Sequence, residues 1–325
     1  MARRLGTAAL WMAMMWALLA CSAPDRWTDG RPDIYAPPPA RPGAEGISIQ
    51  WFGVSTLHIT DGTTSIMIDG FFSRPDLHAL LTGPARPEPG RITDALKEAG
   101  IGRIDAVLVS HHHYDHALDA PWLALDKDAL LFGPLAMKAY AKEEGYPCER
   151  FQTLAAESRF SVGTFEIEVF STRHAKPFLL AELADMVQRW HGAEFRMDQN
   201  FSFILRHRLG SIAIISSAGG EADMLRGRQA DVVLLGIGRL GVLPDRDIDA
   251  YWQEAVVKPG AQLVIPIHWD NFTRAYTETY RPPPRLFDNV DGAMARLHAV
   301  RGATPHIRLA VLPPFVPARV LPLQR

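Results

Sequence analysis

Cysteine is nearly missing from this chain, with two in 325 residues, so a disulfide framework is excluded as the source of its stability. Charge of one sign is equally scarce. The 34 basic residues stand against 36 acidic ones for a net charge of -2, and no basic stripe marks out a surface for nucleic acid. No internal repeat of short fixed period is visible. The long apolar run, Leu5 to Ala20, is too short for a comfortable membrane span and is followed at once by polar chain. Stability must then come from an apolar core, and the roughly 300 residues after that run suffice for one large domain or two small ones.

What is present begins with that run. Arg3 and Arg4 precede it, and it ends in Leu18-Leu19-Ala20-Cys21, giving the charged and apolar regions of a secretory signal. The ending resembles the lipobox of bacterial lipoproteins. That resemblance implies cleavage before Cys21, lipidation of Cys21 with more than one acyl chain, and firm membrane attachment; Ser22 in the next position implies the outer membrane, facing the periplasm. The competing reading is an ordinary cleaved signal in which the cysteine is incidental. If Cys21 carries lipid, Cys148 is left without a disulfide partner. Pro24, Pro32, Pro37, Pro38, Pro39 and Pro42 then make a semi-extended tether. The expected organisation is a signal over residues 1–20, a lipidated tether over 21–45 and one folded domain over 46–325.

Chemistry concentrates where the apolar run Val107-Leu108-Val109 gives way to Ser110-His111-His112-His113-Tyr114-Asp115-His116. Five of the six residues from His111 to His116 can bind a metal. In extended backbone His111 and His113 point to one side and His112 to the other, and a following turn brings in Asp115 and His116. Imidazoles with one carboxylate suit zinc first, then iron or manganese.

The pattern His-x-His-x-Asp-His formed by His111, His113, Asp115 and His116 resembles that of the metallo-β-lactamase-fold hydrolases. The likeness extends to His174, after the alternating segment Phe165 to Phe170, and to His268 in Pro266-Ile267-His268-Trp269. That last phrase, with Phe272, is most similar to the branch containing ascorbate-6-phosphate lactonases and the phospholipase D acting on N-acylphosphatidylethanolamine. The resemblance implies an α/β fold, a four-layer αββα sandwich, with His111, His113 and His174 as one ligand set and Asp115, His116 and His268 as another. It implies one or two zinc ions, hydroxide supplied by the metal for attack on a carbonyl or phosphodiester, Asp115 orienting that hydroxide, and a small-molecule or lipid substrate. Asp69 resembles the family's aspartate that supports the metal loop from beneath.

One part of the family pattern is absent. After the strand Ser211 to Ile215, many members carry a Gly-Asp pair whose carboxylate bridges two metals, whereas this chain reads Ser216-Ser217-Ala218-Gly219-Gly220. Asp223 follows too late and is expected to cap the next segment. The six remaining ligand types also serve one subclass of true metallo-β-lactamases, so β-lactam hydrolysis stays open, as does a non-catalytic metal-binding lipoprotein. Against β-lactams, Ala117-Leu118-Asp119-Ala120 stands where those enzymes carry a glycine pair.

Around the ligands, the pattern predicts a hairpin with arms Ile47 to Thr60 and Ser65 to Asp69, turning at Asp61-Gly62. It predicts buried strands over 104–110, 211–217, 231–237 and 262–268. Helices are expected over 134–144, 247–257 and 288–300, the last burying Phe287, Val290, Met294 and Leu297. His58 is expected in core or surface rather than as a ligand. Two insertions, 71–100 and 178–199, lie near the ligands; Leu179, Leu183, Met186 and Trp190 give the second an apolar stripe that either roofs the site or packs on the domain.

Overall fold

The computed structural model describes residues 35–41, 43, 45–175, 195, 199–275 and 280–323. The N-terminal apolar run, Cys21 and nearly all of the 178–199 insertion lie outside them. Among the described residues, no helix is long and apolar enough to cross a membrane.

Among the described residues, fourteen strands form two seven-stranded sheets. In the first, β1 (Ile47–Trp51), β2 (Leu57–Thr60) and β3 (Ser65–Ile68) run antiparallel, while β4 (Ala106–Leu108), β5 (Leu130–Gly133) and β6 (Phe151–Thr153) continue in parallel, and β14 (Ala318–Leu321) closes the other edge beside β1. In the second, β7 (Arg159–Val162), β8 (Phe165–Ser171), β9 (Phe201–His207) and β10 (Gly210–Ile215) are antiparallel, and β11 (Val232–Gly236), β12 (Leu263–Ile267) and β13 (Arg308–Leu309) are parallel to β10.

Side-chain alternation builds the layers. Ile66, Ile68, Ala106 and Leu108 belong to the core shared with the second sheet. Their neighbours Met67, Val107, Val109 and Leu131 point outward. There they meet α2 (Pro89–Glu98), α4 (Ala120–Asp126) and α5 (Met137–Glu143), which follow the short helices α1 (Leu77–Thr82) and α3 (Tyr114–Ala117) as introduced along the chain. On the second sheet, Ile248 and Trp252 of α6 (Asp245–Trp252) and Met294 and Leu297 of α7 (Val290–Gly302) join the same buried cluster as β10 to β12. The result is helix, sheet, sheet, helix, as the family resemblance implied.

Three local expectations are corrected. The first hairpin arm is two strands, because Gly53 and Val54 take positive φ of 98° and 49° and turn the chain between β1 and β2. Phe287 precedes α7 and is half-buried, whereas Val290, Met294 and Leu297 are buried as expected. Asp223 caps no helix; it sits in an exposed turn at φ 57°, paired with Arg226 and Lys258. The proline-rich stretch touches the domain from Tyr35 onward: Tyr35 donates to the Leu309 carbonyl, and Pro39 bridges Ala318 on the edge strand β14, a position where proline blocks further pairing. His58 hydrogen-bonds Ser65 Oγ at 2.8 Å, and burial lowers it to about 4.

Candidate metal centre

The parallel portions of both sheets bring strand C-termini to one edge, where ligands meet in open α/β sheets. His111 follows β4, His174 follows β8 and His268 follows β12. Their side chains converge with those of α3. His111, His113 and His174 place one ligand atom each within 4.8 Å of one another, and so do Asp115, His116 and His268. All six residues singled out in the sequence are thus brought together. In the first triad, the ring centroids lie 4.7 to 4.8 Å apart, an even tripod. The two triads adjoin through His111 and His116, whose rings are 3.9 Å apart.

The local structure explains which nitrogen three of the rings offer. His116 Nδ1 donates to Asp69 Oδ2 at 2.7 Å, His111 Nδ1 lies 3.1 Å from Ser110 Oγ, and His174 Nδ1 donates to the Ala175 carbonyl at 2.5 Å. With Nδ1 engaged, Nε2 is left facing inward. The Nε2 atom of His111 is buried without a hydrogen-bond partner, and that of His116 faces only Asp115 Oδ2, at 3.4 Å. A buried nitrogen left bare in this way is costly, and the arrangement matches metal-bound histidines, whose second nitrogen is held by an outer acceptor. The residues present therefore fit a divalent cation in each triad.

Electrostatics separates the triads. Burial and the neighbouring imidazoles hold His111 well below the ordinary histidine range, His113 at about 4 and His174 at about 3, so the tripod is neutral near pH 7. Burial also opposes a charge on His116, but the facing Asp115 and Asp69 carboxylates outweigh it and raise His116 to about 10. Burial would raise Asp115 as well; His116 and His268 hold it well below the carboxylate range. A cation entering the second triad must therefore displace a proton from His116.

Asp69 has the supporting place expected of it, accepting from Ser55 Oγ at 2.5 Å and from the Ser110 amide at 2.7 Å besides His116. Several contributors were not foreseen. Asp119 accepts from the Phe72 and Ser73 amides and from Ser73 Oγ, each at 2.6 Å, and so pins the loop after β3 beneath α3. Ser217 Oγ accepts from the Ala175 amide at 2.9 Å and steadies the His174 loop. Gly219 lets that loop approach, since a Cβ there would fall 1.8 Å from the Arg173 carbonyl. Phe71, Tyr114 and Phe272 line up beside His268, with centroids 5.9 Å, 6.3 Å and 5.6 Å apart in succession.

His112 is not part of either triad. It is buried against Tyr140 and Phe195, with centroids 5.8 and 5.4 Å away. Replacing His112 by Ala should leave metal content largely intact, whereas His113→Ala should remove much of it. Metal analysis of the two purified variants checks this; equal losses would contradict the geometry.

Residues 64–269 match the model of the beta-lactamase superfamily domain. An uncharacterized protein of Mycobacterium tuberculosis is 24% identical over 276 residues, covering 78% of this chain and 66% of that protein; the chain thus spans just under two thirds of that relative. A UPF0173 metal-dependent hydrolase of Polynucleobacter asymbioticus is 25% identical over 254 residues, 70% of this chain and 76% of its own. Among solved structures, the metallo hydrolase Igni18 from Ignicoccus hospitalis shares the fold with a TM-score of 0.54 at 16% identity, over 82% of this chain and 95% of that one. The diiron β-hydroxylase CmlA from Streptomyces venezuelae does so with a TM-score of 0.53 at 14% identity, over 86% and 55%.

Proposed function

The chain belongs to the beta-lactamase superfamily, and from that premise we propose that it is a metal-dependent hydrolase, zinc being the metal that suits its ligands best, held at the outer membrane by a lipid on Cys21. The observation that carries the reading is the pair of adjoining triads whose ligand atoms converge, with the outer nitrogens of His111, His116 and His174 engaged by neighbouring groups. His111, His113 and His174 would hold one ion and Asp115, His116 and His268 the other. Bound there, a divalent ion would lower the pKa of water and polarise the oxygen of a scissile carbonyl or phosphoryl group.

The chain's own residues supply the rest. Asp115, kept ionised beside His116 and His268, offers a carboxylate oxygen that orients a water by accepting its proton in a hydrogen bond. Asp69 and Ser110 hold the histidine loop rigid beneath it. Phe272, partly exposed beside His268 and backed by the buried Tyr114, supports a substrate with an apolar portion, a small molecule or a lipid. A panel of esters, lactones, β-lactams and phosphodiesters, assayed with zinc-loaded protein, decides the bond; turnover of none of them, with metal bound, would favour the non-catalytic alternative.

Anchoring has its own test. Cys21→Ser should abolish acyl labelling and release or misprocess the protein. Equal membrane retention of wild type and variant, with no labelled acyl chain on either, would contradict the lipid anchor.

A further inference from the structure

His268 is the first residue beyond β12, at φ 59°, and its position is set from outside the sheet. Its backbone N–H donates to the Val54 carbonyl at 2.8 Å. Val54 itself sits at φ 49°, a conformation that a β-branched residue resists unless its surroundings impose it. Asp270 helps impose it, its Oδ1 accepting from the Val54 amide at 2.7 Å, together with the Thr56 amide on the Gly53 carbonyl and the Trp51 indole on the Val54 carbonyl, at 2.9 and 3.0 Å. Asp270 Oδ2 in turn accepts from Arg74 Nη2 at 2.5 Å. One guanidinium is thus linked through Asp270 to the Val54 turn, and through that turn to the backbone of a proposed metal ligand.

Arg74 is itself over-determined. Its side chain is 2% exposed and that of Asp270 1%. It donates further to the Arg274, Asn271 and Phe52 carbonyls at 2.9, 3.1 and 3.3 Å, and lies 4.9 Å from the centre of the Tyr280 ring. The Tyr280 hydroxyl closes the circuit by donating to the Phe52 carbonyl at 2.7 Å. Gly53 makes room for the guanidinium, since a Cβ there would lie 2.2 Å from Arg74 Nη1. A buried ion pair gives little net stability over packed apolar side chains, so its use points to specifying one geometry. The geometry specified here is that of His268, whose Nε2 lies 3.5 Å from Asp115 Oδ2.

We infer that Arg74 and Asp270 are positioning residues for His268, setting the affinity of the Asp115, His116 and His268 triad for a divalent cation. The inference rests on the two-ion reading above. It predicts that Arg74→Lys, which keeps the charge but not the planar set of donors, and Asp270→Asn each raise the dissociation constant of the second zinc at least about tenfold. The first zinc should stay within about threefold of wild type, as expected for a site that shares none of these contacts.

The test is a calorimetric zinc titration of metal-free full chain, with thermal melts alongside. Met294→Ala, in α7, serves as a variant destabilised for unrelated reasons. Val54→Gly keeps both backbone hydrogen bonds but relaxes the turn, and should also weaken the second zinc; it carries the test if Asp270→Asn does not fold. An unchanged ratio of the two affinities in Arg74→Lys and Val54→Gly overturns the inference, as does an equal change of ratio in Met294→Ala. Wild-type protein that does not bind two zinc ions defeats the two-ion reading instead, before any variant is measured.

Discussion

Replacing Asp69 by Asn should lower metal affinity by about ten- to a hundredfold, and replacing it by Ala should in addition cost on the order of 3 to 5 kcal/mol of stability. Asp69 is fully buried and answers the His116 ring, the Ser110 amide and the Ser55 hydroxyl together. Alanine leaves the Ser110 amide without its acceptor and His116 Nδ1 with only the Ser55 and Ser110 hydroxyls, at 3.0 and 3.3 Å. It also places a residue without a local hydrogen bond at φ 56°, where asparagine is tolerated well. The Asn variant therefore isolates the charge facing His116, and the Ala variant adds collapse of the loop that carries His111. Melting curves and zinc affinities of the two variants check this; affinities equal to wild type in Asp69→Asn would show that the outer carboxylate does not act on the ligands.

Zinc titration should give two resolved affinities, with His268→Ala erasing the weaker and sparing the stronger. Three neutral imidazoles make the His111, His113 and His174 tripod ready near pH 7. The second triad must first release the proton that Asp115 and Asp69 hold on His116. Two divalent ions about 3.5 to 4 Å apart also repel each other, and no carboxylate stands in Ser216 to Gly220 to offset this. The sign of the pH dependence follows. Below about 10, each unit of rising pH should strengthen the weaker site by about tenfold, because one proton leaves as the ion enters. The tight site should be nearly flat above pH 6. Equal affinities, or parallel pH profiles at both sites, would contradict this assignment.

Much of this was legible in the sequence, for physical reasons. Val107 to Val109 and Leu263 to Ile267 are apolar enough to need burial on both faces, and histidines placed immediately after such strands have few structural uses. The supporting residues were less visible. Asp119 meets Ser73, 46 positions earlier, and Asp270 meets Arg74, 196 positions earlier; neither pairing leaves a periodic or local signal. The split between β1 and β2 does leave a mark in the sequence: apolar residues leave the Ile47, Ile49, Trp51 phase for Phe52 and Val54 and resume it only at Leu57 and Ile59, with Gly53 at the turn. Asp223 shows the opposite case: an aspartate near the place where the family bridges its metals is held by Lys258 and Arg226 at the surface.

The central claim, that these six residues build a hydrolytic metal centre, is tested most directly by following hydrolysis of a responsive substrate while zinc is added to metal-free protein. The account predicts no turnover without metal, turnover that rises with occupancy of the triads, and loss of both binding and turnover in His113→Ala. Turnover that is independent of added metal, or a protein that binds no metal at all, would contradict it.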